Sequence, residues 1–291
     1  TSSLTWRYPC LLMETEADTD ERPETLQEAA ARLGPWFHNI HLPDGTQTAT
    51  DHWLGDFPAK QWRQMAPRIP EDLTGWRALD IGCNAGFYTI ELAKRGAHVT
   101  AIDVNPHYLE QARWAVSQFG LQEQVELRHM QIYDLAHEEE GWDLVLFMGV
   151  FYHLRYPILG LDIVTQKVRR LMVFQTMTLP GFEVYPTPPD LPLREREMMH
   201  ERGWPKLAFI EHRVAGDPTN WWVASHAGIE ALLRSSGMRV LESPGYELYF
   251  CEPDPDHPSS MTTWNRAEYL AATRQPGREN HATTESEPPN D

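Results

Sequence analysis

The sequence has few cysteines, no long apolar run and little positive charge. Its three cysteines, Cys10, Cys83 and Cys251, are odd in number and far apart in a chain of 291 residues. They make neither a disulfide framework nor a C-x-x-C metal motif, so we expect a reducing compartment, the cytoplasm. No stretch approaches the roughly 18 apolar residues of a membrane-spanning helix, and the first residues lack the basic-then-apolar order of a secretory signal. No membrane partner is therefore expected.

The shortage of positive charge is marked. Lys and Arg number 25 against 42 Asp and Glu, which gives a formal net charge of −17. An acidic surface repels nucleic acid and anionic membranes unless its basic residues are concentrated locally. The composition therefore argues against nucleic acid as a partner, and it leaves the oligomeric state open.

One stretch, residues 76–87, organises the chain as a strand, a turn and the start of a helix. The turn consists of small residues, namely Gly82, Cys83, Asn84, Ala85 and Gly86. Glycines let a backbone approach a ligand closely, and the following helix N-terminus offers unpaired N–H groups. About twenty residues later a second strand, 97–102, ends in Asp103, where a carboxylate is placed to accept a pair of ribose hydroxyls.

The pattern of this turn is D-x-G-x-x-x-G, beginning at Asp80 and Gly82. It is not the G-x-G-x-x-G of dinucleotide enzymes. An acid two positions before the first glycine would repel a pyrophosphate, and it suits a ligand that carries an ammonium group, as S-adenosyl-L-methionine (SAM) does. SAM is therefore the expected cofactor, and the alternative is an ordinary strand-turn-helix with a capping acid.

The order of strand and helix patterns predicts an α/β fold. The glycine turn also resembles the first motif of class I SAM-dependent methyltransferases. That resemblance implies a Rossmann-like SAM-methyltransferase fold with a mainly parallel seven-stranded sheet and helices on both faces, here with an N-terminal extension and an insertion. The predicted parts are a loosely ordered arm at 1–22, a helical and aromatic extension at 23–75 that closes over the cofactor, the methyltransferase domain at 76–252 with an acceptor-side insertion at 178–220, and a polar, partly disordered tail at 253–291.

Two further segments are candidates for the site. Residues 35–58 are rich in aromatic residues and histidines, and His38, His41, Asp51 and His52 allow either a metal site or a structural or substrate-lining role. Their spacing matches no standard metal motif, so no metal is assigned. The loop 151–157 leaves an apolar strand at the edge of the sheet where ligands bind, which makes it the best active-site segment. Ile132 and Tyr133 lie where an adenine ring usually rests in this architecture.

Several stretches resemble the tRNA wobble-uridine 5-oxyacetate methyltransferase-like family of the class I SAM-dependent methyltransferases. They are Trp53, Lys60-Gln61-Trp62, Asp80-Ile81-Gly82-Cys83, Ile102-Asp103, Met148-Gly149-Val150-Phe151-Tyr152-His153-Leu154-Arg155 and, more weakly, Trp221 to Ser225 and Thr263-Trp264. The resemblance covers roughly Trp36 to Phe250. It implies that Gly82 and Asp103 contact SAM, that Met148 and Tyr152 line its methyl end, and that Trp53 and Lys60 close over it.

Together these arguments predict a cofactor site of Asp80, Gly82, Cys83, Asn84, Gly86, Asp103, Val104, Ile132, Tyr133, Met148, Tyr152, Trp53 and Lys60. The catalytic candidates are His153, Tyr152 and His41, and the acceptor-binding candidates are Trp36, Phe37, Arg155, Trp221 and Trp222. His153 is either a general base, since imidazole is neutral near pH 7, or a hydrogen-bonded core histidine. Arg155 either holds an acceptor anion or pairs with a surface carboxylate.

The resembling family transfers a carboxymethyl group from a carboxylated SAM that basic residues hold. Here residues 35–39 lack the expected lysine, and no C-terminal arginine can be assigned, so plain methyl transfer is favoured. With the acidic charge, the sequence favours O-methylation of a small-molecule or glycan-like acceptor. The alternatives are transfer to a tRNA wobble uridine, which requires a basic face from Arg194, Arg196, Arg202, Lys206 and Arg213, and a non-catalytic SAM-binding module.

Overall fold

The computed structural model describes residues 22–274, so the predicted N-terminal arm up to residue 21, Cys10 and the end of the predicted tail lie outside the described residues. The described helices are α1 (Leu26–Arg32), α2 (Phe57–Met65), α3 (Phe87–Lys94), α4 (Pro106–Gln118), α5 (Pro157–Thr165), α6 (His226–Ser235), α7 (Ser260–Thr263) and α8 (Arg266–Ala272). The described strands are β1 (Arg77–Ile81), β2 (His98–Asp103), β3 (Val125–His129), β4 (Trp142–Met148), β5 (Val168–Gln175), β6 (Leu207–Phe209), β7 (Trp222–Ala224), β8 (Met238–Gly245) and β9 (Leu248–Pro253). Among these residues no helix is both long and apolar enough to cross a membrane.

The main sheet has seven strands in the order β3-β2-β1-β4-β5-β9-β8. Strands β1 to β5 run parallel, and β9 is antiparallel to both of its neighbours. The strand order reverses between β1 and β4, and ligands of open α/β sheets bind outside the carboxyl ends of the strands at that point. The predicted Rossmann-like architecture is confirmed.

Alternating side chains of the central strands build two cores, one on each face of the sheet. On β4, Leu144 and Leu146 join the core beneath α3, α4 and the N-terminal extension, whereas Val145 and Phe147 join the core beneath α5 and α6. A strand covered on both faces must be apolar at successive positions, which explains the nearly unbroken apolar run of β4. This burial fixes the carboxyl edge from which the site is built.

The N-terminal extension docks on the helices that follow the glycine turn. A capping box begins α1, because the Thr25 hydroxyl accepts from Glu28 N–H while the Glu28 carboxylate accepts from Thr25 N–H. The buried Gln111 of α4 donates its amide to the carbonyls of Leu33 and Pro35 at 2.7 and 2.9 Å. Gly45, which has a φ of +89°, turns the chain beside a single bridge between His41 and Gln47.

The insertion at 178–220 contains regular structure. A 3₁₀ helix spans Leu193–His200, and β6 pairs with β7 in a small antiparallel ribbon. Trp221 N–H donates to the Tyr152 carbonyl at 2.9 Å, so the ribbon lies on the predicted active-site loop. The segment after β9 also folds, because Met261 of α7 and Tyr269 of α8 are buried in the second core.

Candidate functional site

The turn between β1 and α3 is a close-packed cradle. Gly82 has a φ of +69°, and a Cβ there would lie 2.4 Å from Val150 Cγ2. Gly86 has a φ of +85°, and its Cβ would lie 3.2 Å from that of Ala112 on α4. Both positions therefore require glycine for local packing, whatever approaches the turn from outside. The N–H groups of Gly82 and Cys83 both donate to the Ile102 carbonyl, which joins the turn to the end of β2.

Two carboxylates lie at the edge of the sheet beside this turn. Asp103 is 8% exposed, and its two oxygens accept from the N–H groups of Asn84 at 2.9 Å and Asn105 at 2.8 Å. Each oxygen retains a second lone pair for a ligand hydroxyl. Asp80 is buried beneath the turn and accepts from the Thr89 hydroxyl at 2.6 Å. Asp103 thus lies where a ribose was predicted, while Asp80 faces α3.

The electrostatics of this pair fit a cationic ligand. Burial raises the pKa of Asp80 to about 6, and the nearby charge of Asp103 adds to the effect. Burial also raises the pKa of Asp103, despite opposing backbone hydrogen bonds. Within the described residues neither carboxylate forms an ion pair with lysine or arginine. SAM carries an ammonium and a sulfonium, so the residues present fit this cofactor.

The other predicted cofactor residues surround the same edge. Val104 is half exposed beside Asp103, and Met148 is nearly buried at the end of β4. Ile132 and Tyr133, predicted to lie beside an adenine ring, open a 3₁₀ helix, and the adjoining Met130 N–H donates to the Asp103 carbonyl.

Cys83 and Asn84 hold the turn together in this structure. Cys83 is a buried free thiol whose pKa burial raises well above its usual value. Asn84 has a φ of +51°, and its side-chain oxygen accepts from Ala85 N–H at 2.8 Å.

The resemblance assigns the methyl end of the cofactor to the exit of β4. The space beside Gly149 at this exit is open, because an added Cβ would have only ordinary contacts, with Tyr152 Oη at 3.8 Å and Gln175 Oε1 at 3.9 Å. The pKa of Tyr152 is raised to about 12, first by burial and then by the charges of Glu247 and Asp217, so its phenol stays protonated. Gln175 and Glu247 were not predicted from sequence, although Gln175 ends a strand at the ligand edge.

His153 is oriented by two residues of the insertion. Its Nδ1 lies 2.9 Å from Thr219 Oγ1, and that hydroxyl donates to Asp217 Oδ1 at 2.7 Å. Because a carboxylate only accepts, the threonine oxygen must accept from Nδ1–H, which leaves Nε2 with a free lone pair. Burial lowers the pKa of His153, opposed by Asp217 3.9 Å away, so the ring is neutral at pH 7. No sequence signal pointed to Asp217 or Thr219, since both lie more than sixty residues from His153.

Arg155 and three aromatic rings form a surface beside this histidine. The guanidinium lies 4.9 Å from the Trp221 ring centroid and 5.2 Å from that of Phe209. The Phe209 and Trp221 rings are nearly parallel, at 10°, and Trp222 meets Phe209 edge-on. Within the described residues Arg155 forms no ion pair, so the suggested pairing with a surface carboxylate is wrong. We call Arg155, Phe209 and Trp221 the aromatic platform.

The aromatic N-terminal segment lies against the start of α3. The buried His38 ring meets Phe87 and Tyr88 edge-on, and burial lowers its pKa to about 3. Phe37 contacts His52 and Phe57. Trp53 is 74% exposed and Lys60 is exposed, and their closure over the cofactor stays a prediction.

The remaining predicted residues fall in separate places. Trp36 is buried against Trp114, donates to the Ala30 carbonyl, and with Trp53 lines a cavity of about 450 Å³. His41 is held by Asp56 at 3.0 Å and lines a different cavity of about 250 Å³ between α2 and α3. None of the contacts within residues 22–274 joins His41 to His153. In the same range no group of three or more His, Cys, Asp or Glu side chains is arranged to hold a metal ion.

Comparison with known proteins agrees with this geometry. A family described as "Methyltransferase domain" matches residues 78–172. The N-terminal domain of EvdMO1 with SAH bound superposes with a TM-score of 0.52 at 21% identity, covering 78% of this chain and 94% of that domain. A putative S-adenosylmethionine dependent methyltransferase from Listeria monocytogenes gives 0.50 at 16% identity, covering 67% of this chain and 99% of that one. At these identities the structures support the fold alone.

Curated relatives are more similar in sequence. The tRNA U34 carboxymethyltransferase of Pseudomonas fluorescens is 33% identical over 149 residues, which is 51% of this chain and 44% of the relative. That of Azotobacter vinelandii is 32% identical over 220 residues, covering 75% of this chain and 60% of the relative. The chain spans about half the length of the curated relatives it matches.

The fold and these matches show a class I SAM-dependent methyltransferase domain, with the family match at residues 78–172. Within that class the chain is similar to the tRNA U34 carboxymethyltransferases. The relatives overturn one prediction made from composition, because proteins named for a tRNA nucleotide contradict the exclusion of nucleic acid and the expected small-molecule or glycan acceptor. Net charge was a poor guide, since it averages over a surface whose local charges differ.

Proposed function

We propose that this protein transfers a methyl group from SAM to a wobble-uridine hydroxyl of tRNA. The observation that carries the proposal is the similarity to tRNA U34 carboxymethyltransferases, which covers three quarters of the chain in the Azotobacter vinelandii protein. A uridine ring carries no hydroxyl of its own. Transfer to oxygen therefore requires a hydroxyl already on the ring, as the 5-oxyacetate product of the resembling family implies.

The aromatic platform suits an RNA acceptor. Proteins that recognise RNA by sequence stack splayed, single-stranded bases on aromatic rings or on arginine guanidinium planes. Phe209 is 49% exposed and nearly parallel to Trp221, with Arg155 over both rings. The backbone of Trp221 is bonded to that of Tyr152, so a base stacked there lies beside the active-site loop.

The local charges also favour this acceptor. Among the five basic residues predicted for a basic face, Arg194 pairs with Glu195 and Arg202 pairs with Glu183. The other three form no ion pair within the described residues, and neither does Arg155 of the platform. Four cations therefore have no acidic partner within the described residues, namely Arg155, Arg196, Lys206 and Arg213, although Lys206 Nζ donates to the His200 and Glu201 carbonyls at 3.2 and 3.1 Å.

The residues at the edge of the sheet have separate roles in cofactor binding and proton transfer. When bound, SAM supplies an electrophilic methyl group on its sulfonium. Asp103 holds the ribose, and Tyr152 remains a protonated phenol beside the open face of Gly149. His153 accepts the proton of the acceptor hydroxyl at Nε2, while Thr219 and Asp217 fix its tautomer. The transfer yields a methyl ether and S-adenosylhomocysteine.

A methyl-transfer assay tests this function. The protein is incubated with methyl-labelled SAM and tRNA that carries 5-hydroxyuridine at the wobble position, and label should appear in the RNA. A tRNA with cytidine at that position is the matched control and should remain unlabelled. A protein that binds SAM but labels neither RNA would rule out the proposed acceptor.

A further inference from the structure

Glu247 contacts Gln175 beside the exit of β4, where the resemblance assigns the methyl end of the cofactor. Its backbone conformation is one that few residues other than glycine adopt. Its φ is +68°, in the left-handed region that glycine and asparagine favour. Three hydrogen bonds to the end of β5 hold it there. Its carbonyl accepts from Thr176 N–H at 3.1 Å, and its carboxylate accepts from Thr178 N–H at 3.0 Å and from the Gln175 amide at 3.2 Å.

This carboxylate fixes the orientation of Gln175. Because a carboxylate only accepts, the glutamine must present its NH₂ group to Glu247. The other end of the amide, Oε1, then faces Gly149, 3.9 Å from the position of an added Cβ. The methyl end is therefore bordered by an acceptor oxygen and backed by a negative charge.

A carboxymethyl group differs from a methyl group by one carboxylate. An anion at this position requires hydrogen-bond donors or a cation, whereas Gln175 presents an oxygen and Glu247 presents a like charge. Within the described residues no lysine or arginine forms an ion pair with Glu247. A sulfonium with a plain methyl group, in contrast, is a cation and is favoured by both oxygens.

We infer that Gln175 and Glu247 form a charge filter that admits SAM and rejects a SAM analogue carrying a carboxylate on the carbon to be transferred. This inference rests on the proposed SAM-dependent transfer and adds its specificity. With this filter the transferred group is a methyl group, in contrast to the carboxymethyl group for which the curated relatives are named.

Competition binding tests the filter without any acceptor. SAM should bind the unmodified protein at least about tenfold more tightly than the carboxylated analogue, measured by calorimetry. In Glu247→Gln this preference should fall by about tenfold, since the like charge is lost and the amide of Gln175 is free to turn. S-adenosylhomocysteine, which lacks the transferred carbon, should bind both proteins within about threefold and reports an intact fold.

Glu252→Gln is the matched control, because it removes one negative charge from β9, the strand that follows Glu247, at a residue that pairs with Arg239. Its preference should equal that of the unmodified protein. Equal affinity for the two cofactors in the unmodified protein would overturn the filter, even if Glu247→Gln does not fold. A folded Glu247→Gln variant whose preference for SAM over the carboxylated analogue is unchanged would also overturn the filter. Neither result depends on transfer to tRNA, so failure of the filter is distinguishable from failure of the proposed acceptor.

Discussion

At the scale of single residues, Asp103 combines two backbone hydrogen bonds with free lone pairs at the end of β2. Replacing it with alanine removes the ribose acceptor and also the partner of Asn84 N–H in the turn. We therefore expect Asp103→Ala to weaken SAM binding about 10–100-fold. Calorimetric titration measures this directly, and unchanged affinity would contradict the ribose assignment.

Asp80 gives SAM binding a pH dependence of known sign. Its carboxyl has a pKa of about 6 in the free protein, and a bound cation would lower that value by favouring the ionised form. SAM affinity should therefore be constant above about pH 6 and fall as the pH decreases below it. In Asp80→Asn, SAM affinity measured by titration between about pH 5 and about pH 8 should lose this dependence. A dependence that survives in the variant would assign the effect to another group.

His153 makes a second, separate prediction about pH. Its neutral form is the base, so turnover should fall as the pH decreases through its lowered pKa. Asp217→Asn removes the charge that raises the pKa of His153. The acidic limb of the pH profile of kcat/KM should therefore move to still lower pH. Thr219→Val should lower kcat while SAM affinity stays within about threefold. If the acidic limb does not move in Asp217→Asn, the proposed influence of Asp217 on His153 is contradicted.

At the scale of elements, the strands of the sheet and the turn between β1 and α3 could be predicted because their signals are local. Apolar runs, small turn residues and caps each act within a few positions, as Asn105 does where it caps α4 by accepting from His107 N–H. The β6–β7 ribbon could not be predicted, since its two short strands pair across the insertion. The Asp217–Thr219–His153 and Gln175–Glu247 contacts were missed for the same reason: each joins residues distant in sequence.

The ribbon also carries the prediction for the aromatic platform. Trp221→Ala removes one stacking ring and should raise the KM for tRNA about tenfold, with SAM affinity unchanged. Trp264→Ala is the control, because Trp264 is the most exposed large apolar residue described, at 85%, and has no ring contact within the described residues. Steady-state kinetics with both substrates separate the two effects. Equal KM values for the two variants would mean that the platform does not bind the acceptor.

At the scale of the whole molecule, the net charge of −17 is unevenly distributed. Residues 1–21 and 275–291 together hold nine acidic side chains and two arginines, so seven of the net negative charges lie outside the described residues. The acceptor side retains four cations without ion pairs inside the described range. Basic side chains that are not paired with acids allow an acidic protein to bind RNA locally.

The salt dependence of tRNA binding measures those cations. Four phosphate contacts predict a slope of log K against log salt of about −3, and Arg196→Ala with Arg213→Ala should reduce it by about 1 to 2. The control pair, Arg194→Ala with Arg202→Ala, changes the net charge equally but removes arginines that are already paired. An equal change of slope in both double variants would show that only long-range charge matters.

The central claim is methyl transfer from SAM to a wobble-uridine hydroxyl. It is tested most directly by mass analysis of the nucleoside at that position after reaction of 5-hydroxyuridine tRNA with SAM and the carboxylated analogue together. We predict that the nucleoside gains one methyl group and no carboxymethyl group. A carboxymethylated nucleoside would contradict the charge filter, and an unmodified one would contradict the acceptor.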